Sequence, residues 1–189
     1  MRAWFLGAAF TILAVAEVAF GPLLATAGGA GPDLLLPLAV YVALTAPQGV
    51  SLFFYLGLGT FSDLLAVPRP GLRGLAYVLV ALAVEHINPG AWRRNPAVQG
   101  VLAAAGSLFV EVLYFAVARR DWPGGPEGAL RVAAVSALLT GLAALAMGWP
   151  LNRLAGAFNW PPSGMPRSWS QLVAAAGAGV ARAPRRGKG

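Results

Sequence analysis

The residues of this chain that could do chemistry are carboxylates set inside long apolar runs: Glu17, Asp63 and Glu111. Paired carboxylates are the groups with which intramembrane aspartyl proteases activate water, so general acid–base catalysis is the first function to consider. That chemistry requires two intramembrane aspartates, one of them directly after a Gly-x-Gly sequence. Here Gly57-Leu58-Gly59 is followed by Thr60, and no second aspartate lies in the interior of an apolar run. The sequence therefore argues against a protease of this kind.

Other catalytic and cofactor chemistries lack their residues. The same glycines do not form a nucleotide-binding loop, because a third glycine is missing and the context is an apolar helix instead of a strand-to-helix turn. The chain has no cysteine and one histidine, which excludes thiolate metal sites and leaves too few ligands for a histidine site. We interpret His86, beside Glu85, as a polar helix cap and not as half of a catalytic dyad. We expect no enzyme activity, no cofactor and no metal.

The composition indicates an integral membrane protein. Hydrophobic residues make up 58% of the 189 positions, mean hydropathy is +0.67, and charged residues make up 11%, against about 25% in soluble domains. Six apolar runs predict an all-α bundle of six transmembrane helices in a domain spanning 1–158, with five helices as the alternative. The second and fourth runs are shorter than the roughly 20 residues that cross a bilayer, so we expect them to be little tilted, extended by loop residues or partly embedded in the bundle. The runs are 3–20, 33–46, 50–67, 72–87, 97–118 and 130–151.

The positive charge lies mainly at the C-terminal end. The formal net charge is +7, and six of the 14 basic residues follow the last apolar run. A basic tail beside a membrane helix favours a cytoplasmic location and attraction to anionic lipid over nucleic-acid binding. We therefore predict that both termini are cytoplasmic and that 159–189 is a basic tail, either an amphipathic helix on the inner membrane surface or a polar tail without regular structure.

The three acids should lie on the same side of the membrane. With the N-terminus inside, the first, third and fifth helices run outward, and Glu17, Asp63 and Glu111 each lie about one turn past the midpoint of their helix. Arg73 opens the fourth helix on that side, so we predict an ion pair between Asp63 and Arg73. Small residues accompany the acids, and Gly100 shares the face of Glu111, which indicates that the acids face protein. Two roles stay open: hydrogen bonds that join helices, or direct contact with a ligand or partner.

Several of these residues occur in a pattern that resembles the rod shape-determining membrane protein family MreD. Pro32 and Asp33 match the family's Pro-Asp or Pro-Asn entry to a short helix, and Asp63 matches its characteristic acid after a glycine-rich helix. The resemblance covers about 3–151 and is most specific between Pro32 and Leu82. The long basic tail after Asn159 departs from the usual short ending. The matching residues are Pro32-Asp33-Leu34-Leu35-Leu36, Ala43-Leu44, Gly57, Gly59, Asp63-Leu64-Leu65, Gly71 and Leu75, with a similar acid-bearing stretch at 107–115.

This resemblance implies a fold similar to the six-helix substrate-binding components of vitamin importers, and a function in the bacterial inner membrane. The implied role is a non-enzymatic scaffold of the cell-elongation complex, which binds the single-pass protein MreC and is linked to MreB filaments, the glycosyltransferase RodA and its partner transpeptidase. The alternative is a solute-binding subunit of an importer, with Tyr55, Tyr77 and Tyr114 as its candidate ligand contacts. The candidate structural or partner-contact residues are Glu17, Pro32, Asp33, Gly59, Asp63, Gly71, Arg73 and Glu111.

Overall fold

The computed structural model of the chain describes residues 3–24, 31–45, 51–66, 71–87, 95–118 and 125–157. These residues form six α-helices and no strand, which confirms the predicted all-α class. The predicted basic tail, 159–189, lies outside the described residues. The helices are α1 (Ala3–Leu24), α2 (Leu35–Thr45), α3 (Ser51–Ala66), α4 (Leu72–Ile87), α5 (Pro96–Ala118) and α6 (Gly125–Ala157).

Two of these helices are long and apolar enough to cross a membrane. They are Pro96–Val117 in α5 and Gly125–Leu154 in α6, with 22 and 30 residues. At 1.5 Å per residue both exceed the roughly 30 Å of a bilayer's hydrocarbon core. Shorter apolar stretches occur in α1, α2 and α3.

The short helix α2 forms the centre of the bundle. All eleven of its residues are buried, and it packs against each of the other five helices. Its length, roughly 16 Å at 1.5 Å per residue, is about half the hydrocarbon thickness of a bilayer. The protein encloses this short second run, so it does not need the length of a helix that crosses the lipid. Embedding in the bundle was one of the three arrangements expected from the sequence.

Small residues allow two helix pairs to approach closely. Where α3 crosses α4, a Cβ added to Gly59 would lie 2.7 Å from the carbonyl oxygen of Arg73. Where α5 crosses α6, a Cβ added to Gly100 would lie 3.0 Å from the carbonyl oxygen of Gly141, and one added to Gly141 would lie 2.9 Å from the Cβ of Ala104. Glycine at these crossings permits backbone contact, as in tightly packed membrane helices.

The last helix is longer than the sequence predicted. We expected 130–151, and α6 runs from Gly125 to Ala157 through Pro150. Trp149 lies within α6, where it is exposed and its ring centroid lies 4.7 Å from the Arg153 guanidinium carbon. Proline removes one backbone hydrogen bond from a helix. Pro150 lies within two turns of the end of α6, and the helix continues past it to Ala157.

Candidate functional site: a polar network joining the six helices

The N-terminus of α2 is held by two carboxylates. The Oδ1 of Asp33 accepts hydrogen bonds from the backbone N–H groups of Leu35 at 3.1 Å and Leu36 at 3.0 Å. This is helix N-capping, for which Asp is among the favoured residues. The Oε2 of Glu17, from α1, accepts the backbone N–H of Leu34 at 2.7 Å. Both carboxyl groups lie where the helix dipole is positive, a placement that favours the negatively charged form of a carboxyl group.

The N-terminus of α4 is held in the same way by Asp63, which belongs to α3. Its Oδ2 accepts backbone N–H groups from Gly71 at 2.8 Å, Arg73 at 3.0 Å and Gly74 at 3.3 Å. Gly71 has a φ of 103°, a left-handed conformation that favours glycine. Asp63 is thus a capping residue supplied by the preceding helix, and it closes the turn between α3 and α4.

The predicted ion pair between the side chains of Asp63 and Arg73 is wrong, because the Arg73 side chain pairs with Glu111 instead. Asp63 binds the backbone N–H of Arg73, which leaves the side chain of Arg73 free to reach other helices. One guanidinium nitrogen donates to Ser62 Oγ at 3.0 Å, and the other lies 3.5 Å from Glu111 Oε1 in α5. The guanidinium carbon also lies 5.8 Å from the ring centroid of Tyr114, within cation–π range. Arg73 therefore joins α3, α4 and α5.

The segment before α2 is fixed from two further directions. Tyr77, one turn after Arg73 on α4, donates its hydroxyl proton to Asp33 Oδ2. On α6, Thr140 Oγ1 accepts the backbone N–H of Asp33 at 2.9 Å, and Ser136 Oγ donates to the carbonyl oxygen of Gly31 at 2.8 Å. With Glu17 on α1, these contacts enclose the segment 31–34 between α1, α4 and α6. Each of the six helices contributes to the network.

The candidate residues fall into two groups. Five belong to one network at the C-terminal halves of α1, α3 and α5 and the N-terminal ends of α2 and α4: Glu17, Asp33, Asp63, Arg73 and Glu111. The other three shape the backbone around it. Pro32 is buried directly before the α2 cap, Gly59 lies at the crossing of α3 and α4, and Gly71 forms the turn that Asp63 closes.

Tyr77, Ser136 and Thr140 were missed as network residues. A signal for the α6 pair is present in the sequence, because Ser136 and Thr140 are four residues apart in an apolar run and so share one helix face. Tyr77 follows Arg73 by four residues, so these two side chains also share one helix face. Spacing along one helix does not identify the hydrogen-bond partner on another part of the chain. Thr140 bonds to Asp33, which lies 107 residues away in the sequence.

The arrangement is suited to holding helices together. The carboxylates of Glu17, Asp33, Asp63 and Glu111 each accept a hydrogen bond from a protein donor. In the described part of the chain, no group of three or more His, Cys, Asp or Glu side chains could hold a metal ion. Buried carboxylates that are bonded to backbone N–H groups, a phenol and a guanidinium stabilise one helix arrangement, because breaking any contact would leave a buried polar group unpaired.

Comparison of the chain with protein families, with curated proteins and with solved structures finds no match.

Proposed function

We propose that this chain is a multi-pass protein of the bacterial inner membrane, with both termini cytoplasmic, and that it acts as a non-enzymatic scaffold of the cell-elongation complex, as the resemblance to the MreD family implies. Its proposed partner is an MreC-like single-pass membrane protein, with MreB, RodA and the RodA partner transpeptidase as further members of the assembly. Membrane lipids are its surroundings, and nucleic acid has no part in the function.

One observation carries this proposal: several of the residues that carry the resemblance, namely Pro32-Asp33, Gly59, Asp63 and Gly71, belong to the polar network or shape the backbone around it. The Pro32-Asp33 pair precedes and caps α2, and Asp63 caps α4. Gly59 and Gly71 permit the crossing and the turn between α3 and α4. A pattern that arose from hydropathy alone would have no reason to coincide with the capping, turn and crossing positions of one network.

The membrane placement is supported by where the network lies along each helix. It involves the C-terminal halves of α1, α3 and α5, the N-terminal ends of α2 and α4, and Ser136 and Thr140 near the middle of α6. Successive helices from α1 to α5 therefore run in opposite directions, as they do in a chain that crosses a bilayer repeatedly. The exposed residues of α5 and α6 include large apolar side chains such as Val101, Phe109, Leu138 and Leu142, which suit contact with lipid.

A solute-binding subunit of an importer is the second candidate, and we place it lower because its proposed ligand contacts are used inside the bundle. Tyr77 bonds to Asp33, the Tyr55 hydroxyl donates to Glu85 Oε1 at 3.1 Å, and Tyr114 lies against the Arg73 guanidinium. A ligand pocket instead needs convergent polar groups that are open to the solute.

Co-purification from native membranes tests the proposal. The tagged chain is extracted in mild detergent, and retained proteins and small molecules are identified by mass spectrometry, with an unrelated tagged multi-pass protein as the control. We expect an MreC-like single-pass protein in stoichiometric amount with the tagged chain and absent from the control. Recovery of an ATPase module together with a stoichiometric small molecule would instead establish the importer function and overturn the scaffold proposal.

A further inference from the structure

The first helix, α1, is attached to the rest of the bundle by few contacts. It packs mainly against α2. Among its described side chains, 6–19, one hydrogen bond reaches another part of the chain, and it joins Glu17 Oε2 to the backbone N–H of Leu34 at 2.7 Å. One aromatic contact lies beside it, between Phe10 and Phe61 of α3, whose ring centroids are 5.2 Å apart. Thr11 bonds only within α1, to the carbonyl oxygen of Gly7.

The helix pairs on the other side of α2 approach one another more closely. Where α4 meets α5, a Cβ added to Gly106 would lie 2.8 Å from Val80 Cγ1. Where α5 meets α6, one added to Gly148 would lie 2.6 Å from Gln99 Oε1. In α1, by contrast, a Cβ added to Gly7 would have no atom within 4 Å. The described side chains of α1 therefore include no glycine at a close helix crossing.

These differences decide how strongly each helix is held in a membrane. Lipid tails are as apolar as leucine side chains, so apolar contact alone gives little net attraction between helices in a bilayer. Association depends instead on close packing and on interhelical hydrogen bonds. In its described part, α1 has one such hydrogen bond and no close glycine crossing, so it is the helix that separates from the bundle at the lowest free-energy cost.

The remaining contacts of the polar network do not involve α1. Asp33 binds the hydroxyl of Tyr77 on α4, and its backbone N–H binds Thr140 on α6. Arg73 and Glu111 join α4 to α5. Separation of α1 would break the contact of Glu17 with Leu34 and leave these four residues paired, so the other five helices can stay assembled.

We propose that α1 is a releasable helix of the bundle, latched by the hydrogen bond between Glu17 and Leu34, and that its release opens one side of α2 to the surrounding membrane. The latch is an acceptor oxygen at position 17 that meets a backbone donor at the start of α2. This inference rests on the membrane placement proposed above but not on the role in cell elongation.

The experiment measures the distance between α1 and the rest of the bundle by pulsed electron paramagnetic resonance in lipid bilayers. The chain has no cysteine, so two introduced cysteines carry the only spin labels. One labelled pair combines Val15→Cys on α1 with Leu138→Cys on α6. A reference pair combines Leu75→Cys on α4 with Leu138→Cys. All three positions are exposed, so the labels do not enter the core.

The variants separate the latch from general damage. Glu17→Ala removes the acceptor, whereas Glu17→Gln keeps an oxygen that can bind the N–H of Leu34. Thr11→Ala is the control, because it removes an exposed hydroxyl that bonds only within α1. Phe10→Ala loosens the other contact of α1 and serves as a second variant if Glu17→Ala does not fold.

We expect the α1 pair to show a main distance and a second, longer one as a minor population, and the reference pair to show a single distance. Loss of one interhelical hydrogen bond should raise the ratio of the second population to the main one roughly 3- to 20-fold in Glu17→Ala. Glu17→Gln should raise it less, and Thr11→Ala should leave it unchanged. Phe10→Ala should also raise it.

Three results would overturn the proposal. The first is a single distance for the α1 pair in the wild type, in Glu17→Ala and in Phe10→Ala. The second is an equal effect of Glu17→Ala and Glu17→Gln, which would show that the acceptor oxygen is not the latch. The third is a reference pair that changes together with the α1 pair, which would show that α1 does not separate independently. Co-purification of an MreC-like protein is a separate readout, so failure of the scaffold proposal does not alter these distances.

Discussion

The guanidinium of Arg73 lies 3.5 Å from the carboxylate of Glu111 and connects α4 to α5. The two side chains are largely buried, with 19% and 17% of their surfaces exposed. A mostly buried charge that loses its partner is costly, because desolvation is no longer compensated. Arg73 is a cation in a network that contains four carboxylates, and its side chain contacts both α3 and α5. Its removal therefore affects more than one helix pair.

We expect Arg73→Ala to destabilise the protein by about 1 to 3 kcal/mol, less than for a fully buried pair because both groups retain some exposure. The measurement is thermal unfolding in detergent, followed by tryptophan fluorescence. Arg131, which is exposed on α6, provides the control substitution Arg131→Ala, for which we expect no change. Equal unfolding temperatures for Arg73→Ala and the wild type would show that the ion pair does not stabilise the bundle.

Asp63→Asn tests the cap on α4. Asparagine has nearly the same shape as aspartate, but it carries no negative charge at the helix N-terminus. Its NH₂ group also faces backbone N–H donors, so the contacts to Gly71 and Gly74 change as well. We expect a loss of about 1 to 2 kcal/mol from weakened hydrogen bonds and the lost interaction with the dipole.

The same Asp63→Asn chain should retain less of the proposed MreC-like partner when it is purified from native membranes, since the ends of α3 and α4 are no longer fixed. Asn95 lies near the start of α5, where its side chain accepts the backbone N–H of Ala97 at an exposed position. Asn95→Ala is therefore the control for a cap outside the network. Wild-type assembly and cell shape with Asp63→Asn would contradict a role for Asp63 in organising the bundle.

Gly59→Ala and Gly57→Ala form a matched pair two residues apart on α3. A methyl group on Gly59 would lie 2.7 Å from the Arg73 carbonyl oxygen, so the α3 and α4 backbones must separate, whereas Gly57 has open space around it. We expect Gly59→Ala to cost about 1 to 3 kcal/mol from overpacking, and Gly57→Ala to be neutral or slightly stabilising, because alanine favours helix. Yield after extraction and the unfolding temperature measure the difference; similar values for the two variants would exclude close packing at Gly59.

Thr140→Val removes the acceptor of the Asp33 backbone N–H while keeping the shape of the side chain. Because that N–H is buried, we expect a loss of about 1 to 3 kcal/mol. Thr11→Val is the control, since Thr11 Oγ1 donates to the carbonyl oxygen of Gly7 within its own exposed helix turn. Hydrogen exchange of the α2 amides should also become faster in Thr140→Val and stay unchanged in Thr11→Val. If both variants exchange alike, the contact from α6 does not hold α2.

The sequence predicted the height in the bundle at which the polar network lies, but not which side chains pair within it. Hydropathy and the 3.6-residue period put Glu17, Asp63 and Glu111 at one height of the bundle and facing protein, because apolar runs fix where helices start and which face is polar. Arg73 was correctly expected near these acids. Its side-chain partner was not, because Asp63 can bind either the backbone or the guanidinium of Arg73, and the choice depends on the turn that Gly71 makes.

The position of α2 was predictable only in part. Its run is too short to cross a bilayer, which allowed embedding in the bundle as one explanation, but nothing in 35–45 distinguishes a helix enclosed by five neighbours from one that faces lipid on one side, because both are uniformly apolar. The extension of α6 to 125–157 was missed because the apolar run covers only 130–151, whereas the helix continues through polar residues on both sides, such as Glu127 and Arg153.

The central place of α2 has a consequence for how the chain is made. A segment of eleven buried residues is too short to remain across the lipid on its own, and its N-terminus is tied to Thr140, which the ribosome adds 107 residues after Asp33. The early part of the chain must therefore remain incompletely assembled until α6 has been synthesised. A nascent chain that stops before α6 exposes an unfinished centre, so quality-control proteases should degrade chains that end before α6 more readily than the full-length chain.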